Sequence, residues 1–299
     1  MRPDARGEHQ LAFWLLLPAV IVVAVFEYVP MYGLSIAFRE FSWRAPFGGP
    51  PVGMDNIRRL FRDPGLRAAL SNTIQYWLAG TAGVAVTGIA VAVMFHLRST
   101  LLRRPVFSTV ILLPSYVSWV IVSVLLSRLF EVRGPINEFL IRSGMLDRGI
   151  AYLTNTTVFP FIFVGSTVWK HLGLMAFVCW MVLQQTEADV RDAAAIDGLG
   201  PVGTVFRVEL ASVRVQLWAL VLLVALILFD SLGEQALSIA SAAIRNQADV
   251  VDSYVYRIGI QRGRWALGAA GSFVSSIIRL PIVLTLLLYL ATRNRGELS

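Results

Sequence analysis

Four ionisable residues, Lys170, His171, Asp230 and Arg279, stand inside or at the edge of long apolar stretches of this 299-residue sequence. A charge at membrane depth is costly, so such residues are functional hypotheses by default: ion pairs, a charge relay, or contacts to a polar solute. A hydroxyl-rich solute needs polar groups to replace its water and aromatic faces to cover its C–H surfaces. Tyr116, Ser118 and Trp119, then Thr167, Lys170 and His171, then Asp230, Ser231, Glu234 and Gln235 supply both kinds in three neighbouring apolar segments. Other chemistry is poorly served. The histidines (His9, His96, His171) show no ligand spacing, and the lone Cys179 excludes an internal disulfide or a cysteine metal site. The single lysine, Lys170, follows Trp169, so there is no Gly-Lys-Ser/Thr phosphate loop. No nucleophile–base pair has hydrolase spacing, and neither a catalytic residue nor a metal ligand is assigned.

The elements that must position these groups are membrane spans. Charged residues make up 15% and hydrophobic residues 56% of the chain, against about 25% and about 45–50% in soluble domains. Mean hydropathy is +0.66. Six stretches reach the roughly 20 apolar residues that a helix needs to cross the hydrocarbon core: residues 11–38, 68–95, 105–127, 158–183, 215–230 and 266–291. The sequence thus predicts an all-α integral membrane protein of six transmembrane helices, one domain over 1–299. Arg2 and Arg6 precede the first stretch in the manner of a signal peptide, but no A-x-A-like cleavage site follows, so an uncleaved span is expected. The net charge of +7 comes from 25 arginines and one lysine against 19 acids, which fits anchoring to anionic lipid better than nucleic-acid binding. Arginine density is similar on the two sides, so the positive-inside rule does not fix orientation.

The connection 184–214 is the most informative. Thr186–Ile196 is rich in helix formers, with Glu187 and Asp189 in its first turn where the helix dipole favours acids. Gly198 and Gly200-Pro201 then break it, and 202–210 can form a second short helix. The product is a helix–glycine–helix elbow at the membrane surface, whose small residues permit another protein to approach closely; a solvated connector would read the same way.

Asp192-Ala193-Ala194, three residues, Gly198, nine residues, then Val208-Glu209-Leu210-Ala211 resembles the E-A-A-x3-G-x9-I-x-L-P loop of bacterial ABC importer permeases. Ala193–Gly198 resembles the A-A-x-I-D-G form of carbohydrate importers. Asp192 replaces the usual Glu and Ala211 the usual Pro. Phe26–Gly33 (FEYVPMYG), Leu113–Val120 (LPSYVSWV) and Asp252–Gly259 (DSYVYRIG) are similar to permeases for oligosaccharides and polysaccharide fragments, so the resemblance covers essentially the whole chain. The chain also resembles the larger maltose-importer permease without its additional N-terminal spans and large external domain.

The resemblance implies a type I ABC importer permease fold in the bacterial cytoplasmic membrane, with both termini cytoplasmic. It makes Asp192, Ala193, Ala194, Ala195, Ile196, Asp197, Gly198, Leu199 and Gly200 the coupling surface for a separate ATPase. It also implies a second homologous permease, two cytoplasmic ATPases that bind the ATP and Mg, an extracytoplasmic solute-binding protein and a saccharide; this chain carries no cofactor of its own. The ten polar and aromatic residues named above become the tentative substrate path, with Lys170 expected to face the cavity. Arg279 pairs with an acid, or joins Lys170 and His171 in a basic interior suited to an acidic saccharide. An ion-coupled secondary transporter using Lys170, Asp230 and Arg279 is the alternative, although the paired repeats of such folds are not seen.

Overall fold

The computed structural model describes residues 5–98 and 105–296. Both chain ends, and most of the basic link expected over 96–104, lie outside the described residues. Among those described, the chain is nearly all helical, with one isolated antiparallel bridge, Arg39 to Pro51. Nine helices matter here: α1 (Ala5–Val23), α2 (Asp55–Arg62), α3 (Pro64–Leu97), α4 (Pro105–Tyr116), α5 (Trp119–Leu129), α6 (Phe159–Leu183), α7 (Ala188–Ile196), α8 (Arg214–Ile239) and α9 (Trp265–Gly296). Among the described residues, five helical segments, including Phe13–Phe38, are long and apolar enough to cross a membrane, and a bent pair, Thr109–Tyr116 with Trp119–Leu129, makes a sixth if it counts as one span. The protein is a multi-pass membrane protein.

The third expected span, 105–127, is not one helix. α4 and α5 meet at 101° across Val117 and Ser118. Two sequence features explain the break. Pro114 lies in the last turn of α4, and its ring removes a ladder hydrogen bond there. Ser118 takes extended backbone angles and its hydroxyl accepts from the Ile121 N–H at 3.4 Å, capping a new helix. The fifth span differs in the other direction: α8 runs on to Ile239, well past Asp230. Apolarity ends at Asp230, but Leu, Glu, Gln and Ala keep the helix going, so Asp230 and Glu234 lie one turn apart on one helical face.

The described contacts form two compact units, 1–66 with 254–277 and 67–253 with 278–299. In the second, α4 packs on α6, and α8 packs on α5 and α6. Tyr76, Trp119, Phe159, Phe163, Leu232 and Ala236 belong to one of its cores. Small residues bring helices close: a Cβ on Gly83 or Gly88 would collide with Val168 or Met175 of α6, and one on Gly173 with the Ile111 carbonyl of α4. In the first unit, the loop after the first span is pinned. Val52 N–H donates to the Phe38 carbonyl (2.9 Å) and Glu40 N–H to the Pro50 carbonyl (3.0 Å). The buried Asn56 amide donates to the Ala37 and Arg39 carbonyls, both at 3.0 Å.

Candidate functional site

The connection 184–214 folds into the expected elbow. α7 stops through reciprocal backbone bonds: Gly198 N–H donates to the Ala195 carbonyl (3.1 Å) and Leu199 N–H to the Ala194 carbonyl (3.0 Å). That closure is the Schellman motif, and it requires a left-handed residue; Gly198 sits at φ +80°. Gly200 then caps a second short helix with Pro201 at its first position. Ala194 is buried, whereas Asp192, Ala193, Ala195, Ile196, Asp197, Gly198 and Gly200 are exposed and Leu199 is half-buried. Ile196 is 86% exposed, with Val202 and Phe206 also open. Three apolar side chains thus lie open around the turn.

The elbow is also tied to the end of α3, by a pairing the sequence did not single out. His96 Nε2 lies 2.7 Å from the buried Glu209 carboxylate, and Arg191 Nε approaches the same group at 4.0 Å. Arg191 further donates to the Thr186 carbonyl at 2.9 Å. This polar strut joins α3, α7 and the segment leading into α8. Glu209 and Arg191 both belong to the 184–214 connection, and Glu209 to its motif, but nothing in the sequence pairs them with His96.

At membrane depth the candidate path residues separate into sequestered and open groups. Lys170 is buried, and its ammonium donates to the carbonyls of Pro114 (3.4 Å), Ser115 (3.2 Å) and Val117. The Ser115 and Val117 carbonyls lie where α4 ends and no regular helical turn follows to supply their donors, while the Pro114 carbonyl also accepts from the Val117 N–H at 3.3 Å. The ammonium also lies 5.5 Å from the Trp119 ring centroid, and Ser115 Oγ donates back to the Lys170 carbonyl at 2.8 Å. Lys170 therefore does not present its charge to an open cavity, as the sequence led us to expect. It caps the broken span.

Thr167 and Gln235 are likewise internal. Thr167 Oγ1 donates to Gln235 Oε1 (2.9 Å), and Gln235 Nε2 donates to the Phe163 carbonyl (2.8 Å) and Ser166 Oγ (3.1 Å). The amide is fully buried, and this network locks α6 to α8. Trp119 is core, and Ser118 is the helix cap described above. Tyr116, at 81% exposure, is open, as are Asp230 and Glu234, with Ser231 and His171 half-buried.

Arg279 is paired. Its guanidinium meets Asp230 at 2.9 Å and Asp252 at 2.6 Å and lies 5.2 Å from the Phe229 ring centroid. A basic interior is thus not what Lys170 and Arg279 create: one is taken up by carbonyls, the other by two carboxylates. The pairing predicts that Arg279→Gln lowers folded yield and thermal stability, because it leaves neighbouring carboxylates without their cation. Adding Asp252→Asn is expected to restore part of the loss, with a coupling of about 0.5–3 kcal/mol in a double-mutant cycle. Additive losses in the same melting assay would contradict the pairing.

No family model matches the chain. It is similar to the polygalacturonan/rhamnogalacturonan transport system permease protein YteP of Bacillus subtilis (strain 168), at 26% identity over 93% of this chain and 86% of that protein. It is also similar to the sn-glycerol-3-phosphate transport system permease protein UgpA of Shigella dysenteriae serotype 1 (strain Sd197), at 26% identity over 95% of this chain and 94% of that one. Among solved structures, a chain from the crystal structure of a bacterial alginate ABC transporter in complex with an alginate pentasaccharide-bound periplasmic protein superposes with a TM-score of 0.81. The two are 26% identical, and the match covers 94% of this chain and 93% of that one.

Proposed function

We propose that this chain, a permease subunit of a carbohydrate ABC importer and a transport component rather than an enzyme, forms half of the membrane path for an oligosaccharide or polysaccharide fragment. The observation that carries the coupling part is the exposed Schellman turn at Gly198, with Ile196, Val202 and Phe206 open around it. A separate cytoplasmic ATPase docks there. Nucleotide-driven movement then passes through the His96–Glu209–Arg191 strut into the spans on either side. The working assembly pairs this chain with a second permease, two ATPases that hold ATP and Mg, and an extracytoplasmic saccharide-binding protein. It sits in the bacterial cytoplasmic membrane with the elbow and both termini on the cytoplasmic side. The carbohydrate reading draws its support from YteP and the alginate transporter, whose names specify saccharide cargo.

Within the path, this chain offers Tyr116, His171, Asp230, Ser231 and Glu234 as its accessible groups: one aromatic face, and acceptors for sugar hydroxyls. The sequestered Lys170, Thr167 and Gln235 hold the helices that carry them. A proton relay through Lys170, Asp230 and Arg279 gains no support from this arrangement, since the Lys170 ammonium donates to backbone carbonyls while Arg279 is engaged by Asp230 and Asp252. Energy coupling tests the proposal. Proteoliposomes carrying both permeases, the ATPases and the binding protein are expected to accumulate saccharide with internal ATP and to continue after a protonophore is added. Uptake that stops with the protonophore while ATP stays high would refute ATP coupling.

A further inference from the structure

Three aromatic rings of the first compact unit, from two connections far apart in sequence, meet in one cluster. Trp43 packs edge-on against Phe41 (centroids 5.2 Å apart, 79°) and against Trp265 (5.5 Å, 80°), and Phe41 tilts toward Trp265 at 6.1 Å. Trp43 remains 74% exposed. Beside the cluster is a cavity of about 250 Å³ lined by Glu40, Phe41, Arg59, Arg264 and Trp265 among others. Its walls are set by backbone. The Glu40 and Val52 bonds pin the loop on one side, and Gly263, at φ +67°, turns the chain between Arg262 and α9 on the other. Arg59 and Arg264 are exposed. Residues 39–66 and 254–265 together hold eight arginines against three acids. Trp265 itself is half-buried.

Two aromatic rings, Phe41 and Trp265, two guanidiniums and a carboxylate around one cavity, with the exposed Trp43 packed against both rings, match a particular ligand. The rings cover the apolar C–H face of a pyranose. Each guanidinium fork fits a carboxylate in bidentate fashion, and Glu40 accepts from ring hydroxyls. With the bent α4–α5 pair counted as one span, four crossings separate the two connections, so both lie on one side of the membrane, and an odd number separates them from the coupling elbow. We infer that the cavity beside Phe41, Trp43 and Trp265 is a subsite for an acidic oligosaccharide on the extracytoplasmic face, with Arg59 and Arg264 reading uronic-acid carboxylates. This inference rests on the saccharide-importer reading and deepens it. It moves recognition of negative charge from membrane depth, where the cations are already engaged, to the loops of the first compact unit.

The test is direct binding, independent of transport. Full-length permease pair with its ATPases in nanodiscs, without binding protein, is titrated with trigalacturonate and with maltotriose. Wild type is expected to bind trigalacturonate preferentially. Arg264→Gln and Trp43→Ala, both at exposed positions, are expected to weaken that binding about tenfold, the equivalent of about 1.4 kcal/mol, and to leave maltotriose unchanged. The subsite is overturned if wild type does not bind trigalacturonate, if both variants bind it as tightly as wild type, or if maltotriose binds equally well. It is also overturned if the variants keep trigalacturonate affinity and lose only capture of the binding protein, which would make the cluster a protein-docking face. Loss of ATP-driven uptake with the binding pattern intact would count against the importer reading and leave the subsite standing.

Discussion

Gly198→Val is expected to reduce ATP-driven uptake to background and to prevent co-purification of the ATPase subunits, while the permease still inserts at near wild-type levels. The reasoning is geometric. Gly198 holds φ +80°, where a side chain costs roughly 1–2 kcal/mol, and the Gly198 and Leu199 N–H bonds that end α7 depend on that angle. The strain is small against the burial in the core helices, so insertion survives. A Cβ at Gly198 meets nothing of this chain within 4 Å, so the damage falls on the turn itself and on whatever docks against it. Gly200→Ala separates strain from bulk: Gly200 has φ −71° and equally open surroundings, so it adds a side chain to the same surface without backbone strain and is expected to lose less activity than Gly198→Val. Uptake and ATPase association would be read from the same membranes, and normal values for Gly198→Val would remove the elbow from the coupling pathway.

Lys170→Met is expected to cause the second large effect, a loss of folded protein that is indifferent to substrate. Removing the ammonium leaves the carbonyls of Ser115 and Val117 without that donor, each at about 1–3 kcal/mol if nothing replaces it, while the Pro114 carbonyl keeps the Val117 N–H. No water stands ready in the hydrocarbon to do so. The 101° junction between α4 and α5 then has no cap on its first half. Ser115→Ala, which removes only the bond to the Lys170 carbonyl, is expected to be milder, near 1 kcal/mol. Thermal unfolding and uptake of one neutral and one acidic oligosaccharide distinguish the roles. A stable Lys170→Met protein that loses only the acidic substrate would make Lys170 a path residue after all.

Much of this arrangement was legible in the sequence because the deciding forces are local. Gly198, Gly200 and Pro201 prescribe a stop and a restart within a few residues, and the elbow forms there. Runs of uncharged apolar residues specify spans wherever lipid is the solvent. What escaped depends on partners distant along the chain. Nothing near Lys170 announces that its acceptors are three carbonyls around Pro114, and nothing near His96 announces Glu209. The bend between α4 and α5 was half-visible: Pro114 and Ser118 were present, but a Pro inside an apolar segment is compatible with a continuous span. The end of α8 was misplaced at Asp230 because a hydropathy criterion detects lipid contact, whereas helix propensity carries the backbone on to Ile239.

The Arg279 pairing bears on how the chain is made. Both carboxylates that receive this guanidinium, Asp230 and Asp252, precede it in sequence. A segment with an arginine near its centre is disfavoured for release into the bilayer by about 2.5–3.5 kcal/mol on insertion scales. Because synthesis runs from the N-terminus, α8 and the short helix Val251–Tyr256 that carries Asp252 are already present when α9 leaves the translocon, and the charge can move directly to its counter-ions. Order along the chain thus does part of the work of insertion: a permuted protein with α9 first would deliver its guanidinium to lipid before either acid existed.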